Sequence, residues 1–138
     1  MAQYEGYARS NYFQVKDIEA FDHFCNRWDL ELIDNERMGN EKLYGFLANG
    51  DEGFANYVYD EETGDIEHAN MWQELSELLL PGWVAITVEV GHEKLCYVST
   101  HLHAVNSEGI EKWSNPIWEF HDKMKEEYEG EKITPAEY

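Results

Sequence analysis

The chain has 138 residues, of which 10 are Lys or Arg and 29 are Asp or Glu, so its formal net charge at pH 7 is −19. A charge of this sign argues against direct binding to DNA, RNA or an anionic membrane, because those surfaces are themselves negative. Aromatic residues make up 14% of the chain, which excludes a disordered acidic chain, since such chains are poor in aromatics.

The length predicts a single domain over residues 1–138, with residues 130–138 as a mobile tail. The sequence shows no signal peptide and no apolar run long enough to cross a membrane, so a cytoplasmic location is expected. Cys25 and Cys96 have no metal-binding spacing, and both are expected to be buried free thiols.

The first third of the chain predicts a strand followed by a helix. Residues 7–15 form an aromatic-rich strand that ends at Lys16, and Asp17 is a suitable N-cap for the helix. Apolar residues in that helix recur at spacings of three and four, which predicts one apolar face made of Ile18, Phe21, Phe24, Cys25 and Trp28.

Three further strands are predicted before the middle of the chain, over residues 30–34, 42–48 and 53–59. An Asn-Gly-Asp sequence at 49–51 is typical of a tight hairpin turn. The last two of these strands are therefore expected to pair with each other.

The second half predicts a helix and a long hairpin. A short helix is indicated by Met71, Trp72, Leu75, Leu78 and Leu79, and Pro81-Gly82 ends it. Strands at 83–90 and 95–105 follow, and their alternation predicts a shared core face made of Val84, Ile86, Val88, Val90, Cys96, Val98, Leu102 and Ala104.

A last helix is predicted to begin at Pro116, because proline is favoured at the first helical position. Its apolar face comprises Ile117, Phe120, Met124 and Tyr128. The fold class is therefore α+β: an antiparallel β-sheet with about three helices packed mainly on one face, in the order β-α-β-β-β-α-β-β-α.

Most of the negative charge is concentrated in two segments. Residues 29–67 hold twelve acids and two bases, and residues 108–131 hold eight acids and three lysines. Carboxylates gathered in this way can imitate a nucleic-acid backbone and occupy the basic cleft of a nucleic-acid-binding protein, where Arg–carboxylate pairs provide the attraction. The alternative is that both segments are solvated faces of an acidic protein.

The residues predicted to bind such a partner form two groups. The first group is the acidic run Asp60, Glu61, Glu62, Asp65 and Glu67. The second group lies on the last helix at spacings of three, four and three, on the side opposite the apolar face, and comprises Glu119, Asp122, Glu126 and Glu129.

Other chemistry has weaker support in the sequence. The acidic run does not fit a calcium loop, because Thr63 and Gly64 break the register, and a tight turn with Gly64 at positive φ is expected instead. His101 and His103 point to one side of a strand and are weak candidates for a metal site, against a simple polar strand face. No motif of nucleophilic catalysis is present, so we expect neither catalytic residues nor a cofactor.

Two segments of the chain resemble small acidic proteins of phages, plasmids and other mobile elements. The first runs from Arg9 to Asp17 with the pattern R-x-N-Y-F-x-V-K-D, and the second from Glu89 to Tyr97 with the pattern E-V-G-x-E-K-L-x-Y. The resemblance implies a bacterial host and an accessory gene that counters host defence. It implies no catalytic residue, because that group has no established activity.

Together these features favour a non-enzymatic inhibitor of a host nuclease or CRISPR effector that acts as an acidic DNA mimic. An adaptor or homo-oligomeric interaction protein that uses aromatic surface is the alternative, with acidity serving solubility alone. Its candidate anchors are the tryptophans off the predicted core faces, Trp83, Trp113 and Trp118. A metal-dependent enzyme using His101 and His103 is a third hypothesis.

Overall fold

The computed structural model describes residues 4–38, 41–50, 53–55, 58–59, 62–64, 66–67, 69–93 and 97–132. Its elements, in chain order, are β1 (Tyr4–Ser10), α1 (Ile18–Arg27), β2 (Leu30–Met38), β3 (Glu41–Ala48), β4 (Val58–Tyr59), β5 (Ile66–Glu67), α2 (Met71–Leu78), β6 (Val84–Glu93), β7 (Tyr97–Asn106), β8 (Glu111–Ser114) and α3 (Pro116–Glu127).

Within these residues, six strands form one antiparallel sheet in the order β2-β3-β1-β6-β7-β8, while β4 and β5 form a separate two-stranded ribbon. The predicted α+β class and order of elements are confirmed. Cys96 and the end of the predicted tail, residues 133–138, lie outside the described residues.

The core lies between one face of the sheet and the helices α1 and α2. Phe46 of β3 is fully buried at its centre, and its ring contacts four other phenylalanine rings at centroid distances of 5.8–6.3 Å. Helix α1 contributes Phe21, Phe24 and Cys25, and α2 contributes Met71 and Leu75. The predicted apolar faces of both helices are thus confirmed, except that Ile18 is exposed.

The N-cap of α1 and the carboxylate of Glu74 hold α1 and α2 in place. Asp17 caps α1 as predicted, because its side chain accepts a hydrogen bond from the Glu19 backbone N–H at 3.0 Å. Glu74 of α2 joins the helices, since one of its carboxylate oxygens accepts hydrogen bonds from the Arg27 Nε–H and the Trp28 Nε1–H, both at 3.1 Å. The Arg27–Glu74 ion pair is half-buried, and its carboxylate also accepts the hydrogen bond of the buried Trp28 indole N–H.

The first strand is shorter than predicted because Asn11 takes over its pairing with β6. The Asn11 amide donates to the Val84 carbonyl at 3.0 Å, and its side-chain oxygen accepts from the Ile86 N–H at 2.7 Å. The chain then leaves the ladder and places Phe13 in the core, where its backbone pairs with Tyr44. The prediction of a continuous strand over residues 7–15 was wrong.

The predicted hairpin between residues 42–48 and 53–59 is also wrong. Strand β3 pairs with β2 on one side and with β1 on the other, so both of its edges are occupied over the described residues. Strand β4 pairs with β5 instead. The residues at 49–51 favour a tight turn, but a local turn preference carries no information about β1, which pairs with the edge of β3 that the predicted hairpin needed.

The central β6–β7 hairpin forms in the predicted place, but its core face is the opposite one. Ala85 and Thr87 on β6, and Val105 on β7, are buried against the helices. The residues predicted as core on β6 point to the other side and are 37–44% exposed: Val84, Ile86, Val88 and Val90. On β7, Leu102 and Ala104 share that outward face, because they pair with Val88 and Ile86.

Helix α3 is the least buried helix of the described chain. None of its residues is buried, and Phe120 of its predicted apolar face is 64% exposed. The helix contacts β7 through the side that carries Ile117, His121 and Met124, which are half-buried. Of the predicted apolar face of this helix, Ile117 and Met124 are half-buried, whereas Phe120 and Tyr128 are exposed. No described helix is long and apolar enough to cross a membrane.

Two phenylalanine substitutions distinguish the core from α3. Phe46→Ala removes a fully buried ring and is expected to lower the free energy of unfolding by about 3–5 kcal/mol. Phe120→Ala is the matched control and is expected to change it by less than about 0.5 kcal/mol, because that ring is mostly in solvent. Urea denaturation followed by circular dichroism measures both values, and equal losses would contradict the described burial.

Candidate functional site

The structure describes only part of the predicted acidic run. Glu62 is exposed in a turn, and Glu67 pairs through its backbone with Val58 in the β4–β5 ribbon. Gly64 has φ of 74°, which confirms the tight turn that only glycine adopts without strain. Three members of the run lie outside the described residues: Asp60, Glu61 and Asp65.

The second predicted group forms an exposed stripe on α3. Glu119, Asp122 and Glu126 are all exposed, and their spacing places them within an arc of about 60° along about 10 Å of the helix. Glu129 is exposed too, but it follows the C-cap Tyr128, so it lies beyond the helix rather than on it. We call Glu119, Asp122 and Glu126 the acidic stripe.

The acidic stripe is not neutralised by the described lysines and arginines. Glu119 accepts a short hydrogen bond from the Ser114 hydroxyl, and Asp122 lies 3.9 Å from Nδ1 of His121. Lys123 pairs at 3.9 Å with Glu127, which is not part of the stripe. The stripe also lies opposite the side of α3 that contacts β7, so its carboxylates face solvent and are available to a partner.

A second candidate site is a cleft on the helix-covered face of the sheet, which we call the aromatic cleft. Its volume is about 270 Å³, and its walls come from the segment at 53–55, α2 and strands β6 to β8. They comprise Phe54, Trp72, Thr87, Glu89, His101, Leu102, His103, Trp113, Ser114 and Asn115. No lysine or arginine lies among these residues.

His103 occupies the middle of the aromatic cleft. Its imidazole stacks on the Trp72 indole, with ring centroids 3.9 Å apart and planes 11° apart. Its Nε2 lies 2.8 Å from Oε1 of Glu111 on β8, which is a hydrogen-bond distance. Trp113, the partner of His103 across β7 and β8, is 73% exposed. The wall therefore combines a fixed imidazole with a free indole face.

Glu89 forms the carboxylate wall of the aromatic cleft. Its Oε2 accepts a hydrogen bond from the Phe54 N–H at 2.9 Å. This approach requires glycine at the preceding position, because Gly53 has φ of 84° and a Cβ there would lie 2.8 Å from the same oxygen. Glu89 also lines an adjacent cleft of about 340 Å³, so it stands between the two.

The histidine pair does not form a metal site in the described structure. His101 and His103 share one face of β7, as predicted, and this is the face that carries Glu89 and Thr87 on β6. The described residues nevertheless contain no group of three side chains suited to hold a metal ion. His103 is held instead by Trp72 and Glu111.

Cys25 is not a suitable nucleophile. It is 1% exposed within the core, and burial, together with the negative charge of Asp22, raises the pKa of its thiol to about 12. A thiol reacts as its thiolate, and this environment disfavours ionisation. The prediction of a buried free thiol is confirmed for Cys25.

Comparison of the chain with protein-family models, with curated proteins and with solved structures finds no match to any of them.

The spacing of His101 and His103 is the sequence signal that points to the aromatic cleft. The placement of His101 and His103 on one strand face follows from their spacing of two. Their neighbours Glu89 and Trp113 follow only from the register of β6, β7 and β8. Trp72 approaches from α2, far away in the chain, and no local pattern predicts that contact.

The high pKa of Cys25 predicts slow alkylation in the folded protein. In a Cys96→Ser variant, iodoacetamide at pH 9 is expected to leave Cys25 unmodified, because a thiol of ordinary pKa is about half ionised there whereas that of Cys25 is almost fully protonated. Mass spectrometry measures the adduct, and the same reaction in urea is the positive control. Rapid alkylation without urea would contradict the burial of this thiol.

Proposed function

We propose that this chain is a non-enzymatic inhibitor that binds a basic, nucleic-acid-binding protein of a bacterial host, such as a nuclease or a CRISPR effector. In this proposal it excludes DNA or RNA from the partner by presenting carboxylates in place of phosphates. The observation that carries the proposal is the acidic stripe, which is exposed and has no described lysine or arginine paired with it.

Charge density supports the comparison with nucleic acid. The stripe offers one carboxylate per about 5 Å of helix axis, and one DNA strand offers one phosphate per about 3.4 Å. The carboxylates of the stripe are therefore spaced more widely than the phosphates of one DNA strand, but by less than a factor of two. The net charge of −19 adds long-range attraction toward a basic cleft, which speeds encounter even where individual pairs are weak.

The weak packing of α3 also supports this role. A helix with no buried residue contributes little to the core, yet this one carries Trp118 and Phe120 at 46% and 64% exposure beside the carboxylates. Exposed aromatic side chains commonly anchor protein interfaces. Helix α3 thus offers a partner both charge and apolar area.

The test uses neutral variants that keep side-chain size. Glu119→Gln, Asp122→Asn and Glu126→Gln together are expected to weaken binding to the partner about tenfold, since exposed ion pairs contribute about 0.2–1 kcal/mol each. The matched control changes the same residue types at exposed positions of α1 and α2: Glu19→Gln, Asp22→Asn and Glu77→Gln. It is expected to leave affinity nearly unchanged.

The partner is first captured from a bacterial lysate and then tested for nucleic-acid binding and for competition by DNA. Affinity for the chain is expected to fall steeply between about 50 and 500 mM salt. A partner whose affinity hardly changes over this range, or that binds DNA and the chain at the same time, would exclude electrostatic mimicry.

A second candidate function, a self-associating interaction protein, is favoured by the outward sheet face. Tyr7 is 69% exposed on this face, where it pairs with Val90 across β1 and β6 and lies near Val88. The outward positions of residues 7–9, 84–90 and 100–104 carry no carboxylate. Arg9 is the one charged side chain at these outward positions. Because the chain is so acidic elsewhere, a second copy is the occupant that a face without carboxylates suits, since two copies repel least when they meet there.

Oligomeric state tests this second candidate. The chain is expected to sediment as a dimer, and Ile86→Lys is expected to make it monomeric by placing a charge in the face. Ile110→Lys is the control, because it makes the same change at an exposed isoleucine in the turn before β8. A monomeric wild-type chain, or a dimer that persists in Ile86→Lys, would exclude this candidate.

A further inference from the structure

The aromatic cleft has no role in either proposed interface, and its chemistry is specific. We propose that it is a binding site for a guanidinium group, supplied by the arginine side chain of a partner or by a free guanidine-bearing molecule. The proposal rests on the polar atoms of the cleft, on its aromatic walls and on its volume, and it does not depend on the acidic stripe.

Two acceptor atoms in the wall of the aromatic cleft have no hydrogen-bond partner among the described residues. Glu89 uses Oε2 for the Phe54 N–H, and its Oε1 accepts no hydrogen bond from the described residues. Asn115 has a buried Oδ1 that also has no hydrogen-bond partner, and this residue lies in the same wall. A buried acceptor without a partner is costly, so an N–H donor from a ligand would supply what the Asn115 Oδ1 lacks, and the Glu89 Oε1 can accept from a second donor.

The lining residues of the cleft include the carboxylate of Glu89 and no lysine or arginine. The imidazole of His103 faces a second carboxylate, that of Glu111, at 2.8 Å. The site therefore carries negative charge. An anionic ligand such as a phosphate would be repelled, whereas a cation would be attracted.

The aromatic walls select a flat cation over a compact one. Trp113 presents a largely exposed indole beside the stacked His103–Trp72 pair, with the Trp113 and His103 centroids 6.2 Å apart. A guanidinium group stacks on an indole face and still donates hydrogen bonds in its own plane, which an ammonium group cannot do. A cleft of about 270 Å³ holds a side-chain head group and is small for a drug-sized ligand.

The test is a titration followed by NMR of the tryptophan Nε1–H signals. The probes are N-acetyl-argininamide and N-acetyl-citrullinamide, which has the same shape but no charge. The arginine probe is expected to shift the Trp113 and Trp72 signals in a saturable way, and the citrulline probe is expected to bind at least about tenfold more weakly. Equal binding of the two probes, or no saturable shift at these tryptophans, would overturn the proposal.

Matched variants locate the site. Glu89→Gln keeps an acceptor for the Phe54 N–H but removes the charge, and it is expected to weaken the arginine probe about tenfold or more. Glu108→Gln removes the same charge at an exposed turn position and is expected to have no effect. Equal effects of both substitutions would mean that the probe senses only the overall charge, which would overturn the proposal.

Two further measurements complete the test. The first distinguishes an arginine within a partner chain from a free small molecule, and the second shows whether the cleft acts independently of the acidic stripe. Tighter binding of a Gly-Gly-Arg-Gly-Gly peptide than of free arginine supports an arginine within a partner chain, and tighter binding of free arginine supports a small molecule. The double variant Asp122→Asn, Glu126→Gln is expected to bind the arginine probe as the wild type does, because neither residue contacts the cleft wall. Glu119 is left unchanged in this arm, since it accepts a hydrogen bond from Ser114 of that wall. Failure of either proposal therefore leaves the other testable.

Discussion

The alternation of side chains across the central β6–β7 hairpin is the constraint on which the rest of the structure depends. Successive residues of a strand point to opposite faces, so once α1 and α2 cover one face of the sheet, this alternation decides which residues of the hairpin meet the helices. Ala85, Thr87 and Val105 meet them, and the valines of β6 remain outside. The outward sheet face and the aromatic cleft are two consequences of this one choice.

Small inward residues on β6 make room for large ones from elsewhere. Ala85 and Thr87 leave space that α1, α2 and β3 fill with Phe21, Leu75 and Phe46. Toward the β7–β8 edge the filling is incomplete, and His103, Trp72 and Trp113 form the walls of a cleft rather than a closed core. The polar residues Glu89 and His103 are stable at this edge because each has a hydrogen-bond partner.

The negative charge lies on some surfaces of the molecule and is absent from others. The stripe of α3 faces solvent, since the opposite side of the helix contacts β7. The outward face of the central strands carries no carboxylate at the described positions from 84 to 90 and from 100 to 104. Two surfaces of different character therefore coexist, and salt separates them experimentally: charge-dependent binding weakens with added salt, whereas apolar association does not.

Local sequence patterns determined the elements themselves. The spacing of Phe21, Phe24 and Cys25 predicted the buried face of α1, Asp17 its cap and Pro116 the start of α3, because these effects act within a few residues. The net charge of −19 and the spacing of the acidic stripe were likewise readable from the chain alone. All of these are properties of sequence neighbours.

Only the tertiary structure decided which of two apolar faces is buried. Both faces of the β6–β7 hairpin carry apolar residues, and the larger valines and isoleucine wrongly indicated the core. Burial depended instead on where α1 and α2 lie, and on β1 occupying the edge of β3 that the predicted hairpin needed. The cleft required contacts between Trp72, His103 and Glu89, which are far apart in the chain, and local patterns carry no information about such contacts.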